Sequence, residues 1–462
     1  MNKWKFSAAA AAVLLAGGLS LTPAQAADLG GDCCADLEER VAELEATTVR
    51  KCNRKVSLKI SGWISQHLMW WDDGDLSDTY ILDQGSTLSS HTTFSGSAKI
   101  DPNWSAGFQL QLEWFTSQST AVDQATAVAG AGGDPLTLFW WLKSDQLGKI
   151  SLGKVSQASD NAALLPDVSG SNLITANWVI FDGLGFFVRP TGGPGGFAGL
   201  ETAIWGQFAF CDQIGAGIAA DCNGVPRQAI RYDSPTYGGF SMSSSWGPDD
   251  FWDVAARYRG TLGDYNVAIE GAFSQVDGLQ LLTGASVDSD YFQIGGSIKH
   301  MPTGLFIYGA YGVEDNDTVF AANFAGETTL PDGSHFYLKG GVQKKWWQLG
   351  NTTIWGEYAE HEDMAQAGFT TASPGDGICT GLGTVAGTTI AAACGGGPLT
   401  ITDSTFTRWG LGIQQDIDAA AMALYIKYRH HEIDVDFANA GGAVVQGFED
   451  IDMVMGGGII HF

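Results

Sequence analysis

Basic side chains recur at alternate positions in segments that look like β-strands, and these are the residues best placed to do chemistry. Arg257 and Arg259, for example, are separated by a tyrosine. Alternate side chains share one face of a strand, so such bases would form rows on one surface. A row of fixed charges facing water can order solvent and select among ions. The candidate basic wall consists of Arg227, Arg231, Arg257 and Arg259, with Lys59 and Lys99 as weaker members.

Motifs for catalysis and metal binding are absent from the sequence. It has neither a Gly-x-Ser-x-Gly elbow nor a His-Glu-x-x-His pair. We expect His430 and His431, beside Glu432, to lie at a strand end as an interfacial or periplasmic patch. Cys33-Cys34 has no His or third Cys at zinc-finger spacing. We therefore predict no enzymatic activity, no metal and no cofactor.

The net charge of −27 makes nucleic acid a poor partner for this chain. The first residues suggest export instead. A basic start with Lys3 and Lys5, an apolar run and an Ala-x-Ala ending predict a signal peptide at 1–26. Its removal would take away two lysines and no acid, leaving −29.

Residues 27–55 are predicted to form a periplasmic segment with one amphipathic helix. Leu37, Val41 and Leu44 recur at helical spacing, with charged residues between them. Two interpretations stay open: a short coiled coil between protomers, or a helix packed under the rest of the protein.

Seven cysteines indicate an oxidising compartment. Two pairs are close in sequence and lie in Gly/Ala-rich stretches, which predicts two local disulfides, Cys211–Cys222 and Cys379–Cys394. Cys33, Cys34 and Cys52 remain, so a monomer must keep one free thiol or share it with another molecule.

From Val56 onward the dominant pattern has a period of two. Trp104, Ala106 and Phe108, for instance, alternate with polar or small residues. Alternation fits a soluble sandwich as well as a membrane barrel, but many segments approach ten residues, as tilted membrane strands require. Aromatic residues near segment ends fit interfacial belts. Phe462 closes an alternating final segment, which is the assembly signal of outer-membrane barrels.

Backbone groups in hydrocarbon must be paired, so a membrane sheet has to close. At roughly 25 residues per strand and connection, residues 56–462 predict about 16 antiparallel strands. A transmembrane β-barrel of that size leaves an aqueous channel.

Several blocks resemble the outer-membrane porins of alphaproteobacteria such as the rhizobia and brucellae. They are the segment Asp32–Thr48 followed by Lys55-Val56-Ser57-Leu58, the segment Gly153–Asn161, and Arg231-Tyr232-Asp233-Ser234-Pro235. Cys52 departs from the pattern, where a small residue is expected. The resemblance implies a 16-stranded barrel, often a homotrimer, with one loop folded into the lumen as a constriction.

That loop should fall between Ser156 and Gly199, with Asp160, Asp167 and Asp182 facing the basic wall. The expected function is passive diffusion of small hydrophilic solutes and ions across the outer membrane, without ion selectivity. The expected partners are these solutes, outer-membrane lipid and copies of the same chain. Two alternatives stay open: a substrate-specific channel, and a structural or adhesive envelope protein with a plugged lumen.

Overall fold

The computed structural model describes residues 56–462, except 86, 172–181, 194, 200–202, 210, 212–223, 249, 281–285, 317–331, 365–370, 373–398 and 440–441. The predicted signal peptide and the predicted helix in 27–55 therefore lie outside the described residues, as do Cys222, Cys379 and Cys394.

Sixteen long strands in the described part of the chain form one closed antiparallel sheet. Each strand pairs with its neighbours in sequence, and β16 closes the sheet by pairing with both β15 and β1. The strands are β1 (Ser57–Asp72), β2 (Ser90–Lys99), β3 (Trp104–Phe115), β4 (Gly132–Ser144), β5 (Gly148–Val155), β6 (Arg227–Asp233), β7 (Phe240–Trp246), β8 (Trp252–Leu262), β9 (Tyr265–Gln280), β10 (Ser286–His300), β11 (Leu305–Asn316), β12 (Gly333–Trp347), β13 (Gly350–Glu362), β14 (Leu399–Ile417), β15 (Met422–Asn439) and β16 (Ile451–His461).

Polarity in the middle of the barrel is reversed relative to a soluble protein. Leu338 and Leu411 point outward and are 41% and 57% exposed, whereas the inward-facing Lys339, Arg408 and Arg429 are at most 1% exposed. A soluble sandwich would bury the apolar face, so the alternation belongs to a barrel whose outer surface meets lipid.

The two ends of the barrel differ in the length of their connections. At one end, here called the turn end, short turns such as 263–264 and 348–349 join the strands. At the other, the loop end, the connections are longer, and the longest spans 156–226. Short stretches of strand occur at Ser77–Leu82, Arg189–Pro190, Thr371–Ala372, Gly442–Val445 and Phe448–Glu449, and 3₁₀ turns at Gly196–Gly199, Trp205–Phe208 and Asp418–Ala420.

Closure at the turn end uses the last residue of the chain. The amide of Phe462 donates to the carbonyl of Gly62 at 3.0 Å, and the Gly62 amide donates back to the Phe462 carbonyl at 3.0 Å. A Cβ on Gly62 would lie 2.1 Å from the carbonyl oxygen of His91, so only glycine fits there. None of the helices in the described part of the chain is long and apolar enough to cross a membrane.

Candidate functional site

The first part of the 156–226 connection lies against inward-facing side chains of successive strands. The Ala158 amide donates to Ser245 of β7 at 2.7 Å, and the Ala163 amide donates to Gln293 of β10 at 3.0 Å. Further on, Gln343 of β12 donates to the carbonyl of Gly170 at 3.1 Å. Backbone groups of the loop are thus paired with polar side chains of the wall, so the loop runs along the inner surface from β7 to β12.

The predicted arginines bind this loop through its carbonyl oxygens. Arg231 Nη1 donates to Ser156 and Gln157 at 2.8 Å each. Arg257 Nη2 donates to Ala158 at 2.6 Å, and Arg259 Nη2 to Leu165 at 2.5 Å. The guanidinium groups thus donate directly to the loop backbone, and the predicted facing of acids and bases across a gap stays a prediction.

The other predicted bases have different surroundings. The Arg227 guanidinium lies 4.1 Å from the ring centroid of Phe251. Lys59 and Lys99 are exposed near the turn end, and neither forms an ion pair or hydrogen bond with the described part of the 156–226 connection. Together these contacts divide the six predicted bases into an arginine group beside the loop and two lysines well away from it.

Asp182 is the centre of a buried charge cluster on the opposite wall. Its Oδ2 accepts from Lys427 Nζ at 2.8 Å and is ion-paired with Arg429, both on β15. Arg429 Nε also contacts Glu357 Oε1 of β13 at 2.8 Å, and Tyr337 donates to Glu357 Oε2 at 2.7 Å. Burial alone would raise the pKa of the Asp182 carboxyl, but the two cations hold it below its ordinary value.

The other two loop acids also have partners at close range. Asp167 is ion-paired with Lys339 of β12, which is fully buried. Asp160 is 4% exposed and accepts from Asn161 Nδ2 at 2.6 Å. Burial raises the pKa of Asp160 to about 7, opposed by the nearby charge of Arg231. Lys339, Lys427 and Arg429 were missed as loop partners, although their alternation with outward-facing residues marks them as inward-facing.

The histidine pair is not at a strand end, so that prediction was wrong. His430 and His431 lie inside β15. His431 faces inward, fully buried, with its ring centroid 5.2 Å from Phe406 and 5.9 Å from Trp205. His430 faces outward, and its Nδ1 lies 2.8 Å from Asp452 Oδ1. Among the described residues no group of three or more His, Cys, Asp or Glu is arranged to hold a metal.

An apolar core fills part of the barrel interior at the loop end. Trp71 of β1 lies 5.0 Å from Phe186 of the loop, measured between ring centroids, and both are buried. A polar link joins three connections beside this core: Arg189 donates to Asp73 at 2.8 Å, and Gln124 donates to Asp73 at 3.1 Å. The second part of the 156–226 connection is therefore held by packing as well as by charge.

Cys211 is disulfide-bonded and buried. Its predicted partner, Cys222, is one of the residues left undescribed. The pairing within this loop therefore stays a prediction.

The site is thus an inner wall of charged and polar side chains, with a long loop bound along it and no catalytic constellation apparent in its described residues. Such a wall can attract, orient and sort charged solutes by fixed charge.

Comparison with known proteins agrees with this geometry. The sequence profile of the Gram-negative porins matches residues 8–449. No curated protein matches the chain by sequence. Among solved structures, outer-membrane expressed OmpT of Vibrio cholerae is 13% identical, with a TM-score of 0.50 over 89% of this chain and 99% of that one. A loop L8 deletion mutant of the same protein is 13% identical, with a TM-score of 0.50 over 88% of this chain and 100% of that one.

These structures are similar in fold alone, whereas the family match spans most of the sequence. The chain itself forms a closed sixteen-stranded barrel with apolar residues outside and fixed charges inside, and barrels of this size leave an aqueous channel. The chain belongs to the Gram-negative porin family and is an outer-membrane channel for passive diffusion of small hydrophilic solutes.

Proposed function

We propose that the 156–226 connection forms the constriction of this channel. The observation that carries the proposal is the bonding of the loop backbone to inward-facing arginines, since Arg231, Arg257 and Arg259 all donate to its carbonyls. Bound in this way, the loop narrows the water-filled cross-section without closing it. The charges left facing water then act on passing ions.

The finer assignments are proposed on the family match together with the sequence blocks described above. The chain is a porin of the alphaproteobacterial type and assembles as a homotrimer. It has no enzymatic activity. Two of the three loop acids, Asp167 and Asp182, fix the loop to the wall, and the solutes that pass are limited by size and charge.

Planar-bilayer recording of the refolded mature protein tests the channel and its constriction together. We expect stepwise ohmic openings, grouped in threes. The reversal potential measured in a salt gradient then gives the ion preference of the channel. Arg231→Gln combined with Arg257→Gln should loosen the loop and raise the unitary conductance. An unchanged conductance in a folded variant would contradict the constriction, because the loop would then not limit the pore.

A structural or adhesive protein with a plugged lumen is the second candidate. The apolar core between Trp71 and Phe186 favours it, because packed loops occupy part of the interior at the loop end. Liposome swelling in small sugars separates the two. Swelling supports the open channel, whereas a correctly folded barrel that gives neither swelling nor conductance supports the plugged one.

A further inference from the structure

A row of exposed lysines lines the inner face at the turn end, away from the loop. Lys59 of β1, Lys99 of β2 and Lys143 of β4 are exposed, and Lys149 of β5 is half-buried. The strand register brings three of them into line: Lys99 pairs with Ser105, Ser105 with Lys143, and Lys143 with Lys149.

All four lysines share the inward face. On β1, Lys59 has the same parity as the buried Ser65 and opposite parity to Ile64, which is 54% exposed on the outside. On β4, Lys143 alternates with the outward-facing Trp140 in the same way, since the two differ by an odd number of positions. The row is therefore presented to the lumen and not to lipid.

Like charges directly opposite on neighbouring strands destabilise a sheet. Lys143 and Lys149 are such a pair, with Cβ atoms about 5 Å apart by antiparallel geometry. Of these four lysines, only Lys149 forms an ion pair with an acid in the described part of the chain, and its Nζ lies 3.3 Å from Asp233 Oδ2. Asp233 also forms an ion pair with Arg231 at 2.8 Å. The row carries an excess of positive charge in a chain whose net charge is −27.

We propose that this lysine row is a binding site for small phosphate-type dianions at the periplasmic mouth of the channel. Short turns mark the periplasmic end of such barrels, which assigns the mouth. Exposed ammonium groups are hydrated point charges with three donors each, and low-dielectric walls focus their field on an anion between them. Binding of this kind is weak, which permits release into the periplasm.

The proposal rests on the channel function and adds a substrate class to it. A dianion is favoured over chloride because Lys143 and Lys149 are cross-strand partners with Cβ atoms about 5 Å apart, so two flexible side chains can reach one doubly charged anion. The hydroxyl of Ser105, which pairs with both Lys99 and Lys143, is available as a further donor.

The test measures inhibition of chloride current by inorganic phosphate on both sides of a planar bilayer at constant ionic strength. Two variants are compared with the unaltered protein: Lys99→Gln combined with Lys143→Gln, and the control Lys345→Gln. Lys345 is an exposed lysine near the same end, but Asp418 already neutralises it at 3.0 Å. Heat-modifiable gel mobility verifies folding, and the single substitution Lys143→Gln replaces the double variant if that fails to fold.

We expect phosphate to inhibit the unaltered channel and the control equally, and to bind the double variant about tenfold more weakly, as two exposed charge contacts predict. Equal inhibition of all three proteins, or none of the unaltered channel, would overturn the site while leaving the channel function intact. An unaltered protein that conducts no chloride would instead contradict the channel function itself.

Discussion

Replacing Asp182 by Asn should weaken the attachment of the 156–226 connection to β15. The carboxylate is 1% exposed and neutralises Lys427 and Arg429, which are 3% and 1% exposed. Removing one partner of a buried ion pair costs about 3–5 kcal/mol, because the other charge stays buried without compensation. Arg429 keeps Glu357, so Lys427 accounts for most of the loss.

A cost of about 3 kcal/mol shifts the equilibrium between bound and released loop more than a hundredfold. Single-channel recordings of Asp182→Asn should therefore show larger and noisier openings, and urea unfolding followed by tryptophan fluorescence should begin at lower denaturant. Because the lowered carboxyl pKa keeps Asp182 ionised at neutral pH, the full stabilisation by this carboxylate is present at pH 7. It is lost only as the pH falls through that pKa.

The matched control is Asp418→Asn, which makes the same change in the exposed pair with Lys345. An exposed pair contributes at most about 1 kcal/mol, so unfolding and conductance should hardly change. Adding Lys427→Met to Asp182→Asn should restore part of the stability by removing the uncompensated ammonium. If Asp182→Asn behaves like Asp418→Asn, the charge cluster does not hold the loop and the reasoning fails.

Four further predictions concern single sites. Burial raises the pKa of Asp160 to about 7, so the folded state holds this proton more tightly than the unfolded state. Stability should therefore fall as the pH rises from about 4 to about 7, and an equally steep fall in the melting temperatures of Asp160→Asn over that range would refute this. Leu338→Arg, on the lipid face in the middle of β12, should cost about 2–4 kcal/mol in liposome refolding, against a small change for Leu338→Ala. Non-reducing peptide mapping should join Cys211 to Cys222, and any other partner would disprove the local pairing. Deleting Phe462 removes its paired backbone hydrogen bonds with Gly62 of β1 and should slow barrel assembly, and unchanged kinetics would count against its role as a signal.

Alternation in the sequence predicted the barrel because it reports directly which side chains face lipid. Over β15, Leu424 and Ile426 point outward while Lys427 and Arg429 point inward, as a period of two requires. The number of strands followed from length, since closure leaves few sizes that fit the chain.

The loop partners could not be predicted in the same way. Asp182 contacts residues about 245 positions further along the chain, and the path of a loop depends on the summed packing of many such contacts. Parity shows that Lys427 faces inward, but nothing local indicates which loop residue meets it. The sequence pattern identified the arginine group as inward-facing. It could not show that these arginines bind loop carbonyls, because that depends on the path of the loop backbone, which no local pattern specifies.

The error at His431 reveals a change of environment along one strand. In the residues of β15 before His431, the outward-facing side chains are apolar and the inward-facing ones are charged. After His431, Ile433 and Val435 face inward and are buried, whereas Glu432 and Asp434 are exposed on the outside. Such an inversion is expected where a strand leaves the membrane, because its outer face then meets water and its inner face packs on the loops. The hydrogen bonds of β15 continue through this reversal to Asn439, so the strand does not end at the histidine pair.

This change of environment also explains how the barrel can hold the 156–226 connection rigidly and still conduct. The apolar core around Trp71 and Phe186 fixes the loop at the end outside the membrane, where packing is available without lipid. Within the membrane the same loop is bound by charge and by backbone hydrogen bonds, which keep the inner surface polar. Packing thus supplies rigidity at one level and charge keeps the inner surface polar at another, so we expect substitutions in the core and in the charge clusters to change stability and conductance separately.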